Sequence, residues 1–228
     1  PGTVFALDGF GPWTATGLRG VTAAALAGKR LGYVKSSVHG TFIARWFADA
    51  QAAGVHEPNA MSLATVGADR LPDVRMVLMK HFDHEGFVFY TNYQSRKGEQ
   101  LQAHPKAALL FHWKSLKRQV RIEGPIAKTT AKEADAYFAP RQPGSQIGAW
   151  ASEQSRPLES RFALEKRVAE VGARYLVGAV PRPPHWSGFR LQPTLIEFWQ
   201  DQTFRLHDRL EYRRTSADAP WTTRNLFP

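Results

Sequence analysis

Apolar residues recur along this chain in two rhythms. At Phe42, Ile43, Trp46, Phe47 and Ala50 they fall at the three-to-four spacing of one helix face, and Gly54 supplies a stop. Glu57-Pro58-Asn59 reads as a turn. Beyond it the rhythm shortens to β-like runs at hairpin spacing, over residues 60–66, 73–80, 87–90, 107–113 and 119–127, with Gly, Pro or charge clusters between them. Ser95 can cap a short helix ending before Pro105. Thr130 and Glu133 form a capping box for a helix through Tyr137, which Pro140 closes. Residues 160–175 read as a long helix, and Pro181-Arg182-Pro183-Pro184 as a stiff connector. Further strands are predicted near 188–191, 194–200, 210–214 and 221–226. Strands outnumber helices and mostly follow one another directly, so a mainly β (α+β) fold is expected, an antiparallel barrel with peripheral helices in a single domain over 41–228. No internal repeat or low-complexity segment interrupts it.

Residues 1–40 differ. Asp8 is their only acid, against Arg19, Lys29, Arg30 and Lys35. Such composition suits either a targeting remnant or a loosely ordered arm. Cytoplasm is the expected compartment, an organelle if the arm is a trimmed signal.

Composition narrows the chemistry. The chain has no cysteine, which removes disulfides, thiolate metal sites and cysteine nucleophiles. No apolar run approaches the ~18 residues that span a bilayer, so no membrane partner is expected. A formal charge of +10 asks for anionic partners. The cations recur singly or in pairs beside glycine, serine and aromatics, which favours local phosphate pockets over a nucleic-acid stripe.

Four clusters could carry chemistry. The densest runs over residues 198–209; if it is extended, Arg205, His207 and Arg209 share one face by the two-residue period, with Leu206 and Asp208 opposite. That face suits a planar anion, because guanidinium forks bind phosphate and histidine exchanges a proton near neutral pH. A solvated edge strand with Arg-Asp pairing explains it equally well. A strand bounded by Arg75 and Lys80 would put those cations on opposite faces, where they could serve two anions; a salt-bridged strand end is the plainer reading. Tyr90, Thr91, Asn92, Ser95, Arg96 and Lys97 lie where a strand runs into a helix start, a place suited to phosphate. Tyr137, Arg141 and Ser145 follow at four-residue intervals where a helix breaks, and an ordinary polar loop would look the same. Scattered histidines argue against a metal site, and no glycine-rich nucleotide loop or G-x-S-x-G elbow is present. Several anion sites without a protein nucleophile point to a bound cofactor that does the chemistry.

In order, the motifs R-x-V-L-x-K, Y-T-N-x-x-S-R-K, R-Q-V, Y-F-x-x-R-x-x-x-S-Q-I-G-A-W, Q-S and F-W-Q-x-x-x-x-R-L-H-D-R resemble the pyridoxamine 5'-phosphate oxidases from about Glu57 onward. The resemblance implies an FMN-binding split β-barrel and a homodimer with two FMN sites at the subunit interface. It assigns FMN to Arg75, Met76, Val77, Leu78, Met79, Lys80, Tyr90, Thr91, Arg96, Lys97 and Gln119, with Gln154, Ser155, Trp199 and Arg209 completing the site from other segments. Lys80, Tyr137, Arg141 and Ser145 match the substrate-phosphate set. Arg205, Leu206 and His207 match the substrate segment, with Arg205 and His207 beside the reacting carbon as the catalytic pair. The implied reaction oxidises pyridoxamine or pyridoxine 5'-phosphate to pyridoxal 5'-phosphate: hydride passes from C4' to flavin N5, and dioxygen becomes hydrogen peroxide.

One motif departs from the family. Its members commonly carry an N-terminal R-x-x-Y-x-x-G-G-L segment over the substrate; here Arg30-Leu31-Gly32-Tyr33 runs on into Val34-Lys35-Ser36-Ser37, too near Trp46 for that spacing. A substrate lid is therefore not assigned. Competing readings are a phenazine-type flavin oxidase of the same fold, a non-catalytic flavin or pyridoxal-phosphate carrier, and a basic nucleic-acid-binding barrel.

Overall fold

The computed structural model describes residues 5–6 and 38–228. The expected N-terminal arm and the question of a lid lie outside these residues, save for the strand β1 (Phe5–Ala6) and the start of the first helix. The described elements continue as α1 (Val38–Ala52), β2 (Ala60–Val66), β3 (Pro72–Leu78), β4 (His81–Phe82), β5 (Phe87–Asn92), α2 (Arg96–Ala103), β6 (Lys106–Trp113), β7 (Arg118–Lys128), α3 (Ala131–Phe138), α4 (Pro143–Ala151), α5 (Arg161–Arg174), β8 (Trp186–Leu191), β9 (Leu195–Gln200), β10 (Asp208–Arg213) and β11 (Thr222–Asn225).

The strands pair antiparallel in the order β1-β4-β5-β8-β7-β6-β2-β3, with β9, β10 and β11 branching from β7. The sheet curls into the expected antiparallel half-barrel, and β3 remains an edge. Its corner lies in β7, which pairs with β9 over residues 118–123 and with β8 over residues 126–128. Gly124 stands at the switch. A Cβ there would lie 1.9 Å from the Gln192 carbonyl oxygen, so only glycine lets the β8–β9 link pass so closely.

α1 fills the half-barrel with its predicted face: Ile43, Trp46, Phe47 and Ala50 are all buried. The Phe47 ring meets Phe111 and Trp113 edge-on, each at 4.9 Å, and Trp46 meets Phe198 at 5.2 Å. This packing fixes β9, and with it the C-terminal cluster, relative to β6.

Three expectations need correction. β3 ends at Leu78, so Lys80 lies past the strand and the opposite-face argument for Arg75 and Lys80 does not hold. Residues 143–151 form a helix rather than a polar loop, because Pro143 stands at a first-turn position where its missing N–H costs nothing. The segment 198–209 is not extended throughout: Thr203–Arg205 is a 3-10 turn in which Phe204 (φ 56°) and Arg205 (φ 63°) take left-handed conformations. Arg205, His207 and Arg209 therefore share no strand face.

Candidate active site

The first group of candidate residues gathers at the start of α2. Ser95 caps this helix by accepting from the Gly98 N–H at 3.3 Å. Gly98 itself has no side chain because a Cβ would lie 2.4 Å from the Tyr93 carbonyl oxygen. The tight start holds Lys97 in place, where its Nζ donates to Ser95 Oγ and Gln154 Oε1, both at 3.2 Å. Burial, and then the nearby Arg75 charge, lower the Lys97 pKa. Arg75 on β3 donates to Thr65 Oγ1 at 2.6 Å and Gln100 Oε1 at 3.2 Å. Arg75 and Arg96 share one carboxylate, Asp73, at 2.7 and 2.8 Å. Arg75, Arg96 and Lys97 thus gather at a helix N-terminus with Asp73 as the carboxylate paired among them, while Glu99 in the first turn pairs with Arg156, an electrostatic deficit that an incoming dianion would fill.

The second group is an aromatic bed with two cations. Tyr90 on β5 stacks on Tyr137 from α3 at 4.2 Å and on Trp186 from β8 at 5.4 Å, both within 5° of parallel. Arg141, in the turn between α3 and α4, places its guanidinium 4.7 Å from the Trp186 ring centre. Its Nη1 is buried with no hydrogen-bond partner among the described residues. Burial lowers the Lys80 pKa, Arg141 adds to the effect and Glu57 opposes it. Burial, with Glu133 and Tyr137 beside it, pushes the Tyr90 phenol up to about 12, so it stays a protonated donor at neutral pH. Ser145 lies exposed in the first turn of α4.

The third group is set by register. Trp199 on β9 stands opposite Gln119 on β7 and opposite Arg209 on β10, so a residue far back in the chain joins two from the C-terminal hairpin in one row across three strands. Arg209 donates to Glu197 at 2.7 Å and to the Phe227 carbonyl at 2.9 Å. His207 lies 4.7 Å from the Trp199 ring and 3.1 Å from Asp201, and Arg205 and Leu206 are exposed beside it.

Other sequence-derived candidates scatter. Met79 has its side chain in the core, Val77 and Leu78 are half-buried, and Met76 points outward from the edge strand. Thr91 is buried on β5, and Ser155 sits exposed after α4 in a left-handed conformation (φ 74°), next to the Gln154 that joins the first group through Lys97. Reasoning from the sequence missed Asp73, Gln100, Trp186, Glu197 and Asp201, which hold or flank the candidates. Asp201 lies inside the 198–209 cluster and Glu197 directly before it, whereas Asp73, Gln100 and Trp186 carried no local signal. A cavity of about 910 Å³ lies elsewhere, between the β2 and β7 ends and residues 213–217, and is lined by none of the candidates.

Known proteins resemble the chain along nearly all its described length. A family model described as "Pyridoxamine 5'-phosphate oxidase" matches residues 47–175, and one described as "Pyridoxine 5'-phosphate oxidase C-terminal dimerisation region" matches residues 186–228. A pyridoxine/pyridoxamine 5'-phosphate oxidase of Nitrobacter hamburgensis is 58% identical over 86% of this chain and 92% of its own. One from Rhodopseudomonas palustris is 61% identical over 81% and 87%. The structure of PhzG from Burkholderia lata, in complex with tetrahydrophenazine-1-carboxylic acid, superposes with a TM-score of 0.77 at 36% identity, covering 82% of this chain and 91% of that one. With the family model spanning more than half the chain and relatives this similar across most of it, the chain belongs to the pyridoxamine 5'-phosphate oxidase family.

Proposed function

We propose that this chain is an FMN-dependent oxidase that converts pyridoxamine 5'-phosphate and pyridoxine 5'-phosphate to pyridoxal 5'-phosphate, with dioxygen as acceptor and hydrogen peroxide as product. The observation that carries this reading is two separate clusters of cations: Arg75, Arg96 and Lys97 at the start of α2, and Lys80 with Arg141 over an aromatic bed. A phosphorylated cofactor acting on a phosphorylated substrate needs two such clusters. The electrostatic deficit around Lys97 fits the FMN phosphate, and the unmet Nη1 of Arg141 fits that of the substrate. When bound, FMN supplies the two-electron acceptor and the link to dioxygen.

The protein's part is positioning and charge. Lys80, Tyr137, Arg141 and Ser145 hold the substrate phosphate, the Tyr90–Tyr137–Trp186 stack excludes water, and Arg205 and His207 attend the reacting carbon. Gln119, Trp199 and Arg209 complete the flavin site of a partner subunit in a homodimer. The exposed apolar Val74 and Met76 on the β3 edge support a subunit contact there. So does the description of the region holding Trp199 and Arg209 as a dimerisation region.

The test is an absorbance spectrum of purified protein, followed by anaerobic pyridoxamine 5'-phosphate. Flavin absorbance that bleaches and returns with air supports the oxidase; flavin that never bleaches points to another substrate. A phenazine-type oxidase is the second reading, favoured by the PhzG likeness. Its ligand there is a carboxylate without phosphate, so unchanged turnover of a dephosphorylated substrate would favour it.

A further inference from the structure

We propose that Asp201 is a positioning residue for His207, holding the imidazole proton on Nδ1 and leaving Nε2 as the ring's proton-exchanging atom. The inference rests on the oxidase reading only for the identity of the substrate that Nε2 would face.

The chain takes an unfavourable course to make this contact. Phe204 and Arg205 are both left-handed without being glycine, although an extended run would have carried the chain straight into β10. The resulting turn brings the His207 ring back beside Trp199 and sets Nδ1 3.1 Å from Asp201 Oδ1. Asp201 is itself anchored. Its backbone N–H donates to the Lys117 carbonyl at 2.9 Å, and Lys117 Nζ lies 3.4 Å from its Oδ2.

Nδ1 has a second neighbour, the Gln202 backbone N–H at 3.3 Å. The two contacts demand opposite tautomers: a protonated Nδ1 donates to Asp201, whereas a bare Nδ1 accepts from Gln202. As placed, the ring meets Asp201 as a close ion-pair contact and accepts from Gln202; the carboxylate is nearer and ionised, and the soft χ2 torsion of the imidazole lets a protonated Nδ1 turn to donate to it, so the charged contact prevails. Nε2 is then unprotonated, and no hydrogen bond engages it among the described residues. Without Asp201 the Gln202 amide is the remaining partner, and the proton moves to Nε2. A carboxylate that holds a base in its working tautomer is a recurring third member of catalytic groups.

The test uses FMN-loaded protein carrying ¹⁵N-histidine, with the His207 ring signals assigned by their loss in His207→Gln. The wild type is expected to show the Nδ1–H tautomer and Asp201→Ala the Nε2–H tautomer. The Ala variant's kcat for pyridoxine 5'-phosphate should fall about 10-fold or more, with KM within about 2-fold. Asp201→Glu should restore the wild-type tautomer and part of the turnover. If the Ala variant does not fold, Asp201→Asn serves, because its amide can donate to Nδ1 and force the same exchange. An Nε2–H tautomer in the wild type, or an unchanged tautomer in both variants, overturns the proposal. A wild type that shows the Nδ1–H tautomer but oxidises no phosphorylated vitamer overturns the oxidase reading alone.

Discussion

The guanidinium carbon of Arg141 lies 4.7 Å from the centre of the Trp186 ring, with one nitrogen, Nη1, buried and unmet among the described residues. The stack fixes the plane of the fork, and burial leaves a donor that water does not satisfy. Both features favour an anion with oxygens in that plane. Lysine can supply the charge but neither the planar stacking nor the parallel pair of donors that the guanidinium fork fixes in one plane. Arg141→Lys is therefore expected to raise KM for pyridoxamine 5'-phosphate by about 10-fold or more, in line with the ~1.5–3 kcal/mol of a hydrogen bond to a charged group. Steady-state kinetics with the flavin spectrum unchanged would confirm it; a matching loss of FMN would move Arg141 to the cofactor.

Lys97 is held by two neutral oxygens and lies near Arg75, so its charge gains most from an incoming phosphate. Lys97→Met is expected to weaken FMN binding by about 10-fold or more, while KM for the substrate at saturating FMN stays within about 2-fold. Fluorescence titration of the apoprotein reads this directly. Its lowered pKa also gives a direction with pH. Lys97 loses its proton below the range of an exposed lysine, so FMN affinity should decline on the alkaline side earlier than the Met variant's does.

How far the sequence discloses this site depends on how local each signal is. The Thr130–Glu133 capping box, the Ser95 cap and the α1 stripe are built from residues within a turn or two of one another, and each appears where the sequence predicts it. The Gln119–Trp199–Arg209 row is different: Trp199 and Arg209 share the 198–209 cluster, but strand register brings in Gln119 from about 80 positions before Trp199, and only the family resemblance joined it to them. The turn at residues 203–205 was illegible because left-handed φ at Phe204 and Arg205 has no glycine or asparagine to announce it. The α4 helix was hidden by Pro143-Gly144, which reads as a turn until the proline is recognised as a first-turn residue. Asp73 and Gln100 became visible only when β3 and α2 came together around Arg75.

Arg190 ties the aromatic bed to the sheet. Its side chain is 10% exposed and reaches Asp83 at 2.6 Å and Glu133 at 2.7 Å, linking β8 to the β4–β5 turn and to the first turn of the helix that carries Tyr137. Burial alone would raise the Asp83 pKa, but hydrogen bonding by His81 and the charge of Arg190 outweigh it and hold it well below the usual carboxylate range. Glu133 is lowered too, its burial offset by Thr130 and Arg190. With folded values below unfolded ones, both acids stabilise the fold above the ordinary carboxylate pKa of about 4 and lose that contribution as pH falls below it. Arg190→Met should cost about 2–4 kcal/mol at neutral pH by leaving two acids without their partner. Melting temperatures from about pH 3 to pH 7 should show the variant's deficit shrinking as the acids protonate. Parallel curves would mean that Arg190 contributes packing rather than charge.

The proposed homodimer puts the β3 edge at the subunit contact and shares the flavin site across it. Val74 and Met76 are 65% and 63% exposed on its outer face, while Asp73 and Arg75 turn inward to the cation cluster. A charge at Val74 costs an isolated subunit little, since the position is solvated. If a partner subunit covers it, the same charge must be desolvated in the dimer, and association weakens. Val74→Glu is therefore expected to give monomers in size-exclusion chromatography with light scattering, at concentrations where the wild type is dimeric. On the proposed sharing of the site, FMN should be lost in step, because the Gln119–Trp199–Arg209 row would then be parted from the cation cluster of another subunit. A monomer that keeps FMN would show that one chain completes its own site. A persistent dimer would place the contact away from β3, leaving the apolar edge to be explained by something other than self-association.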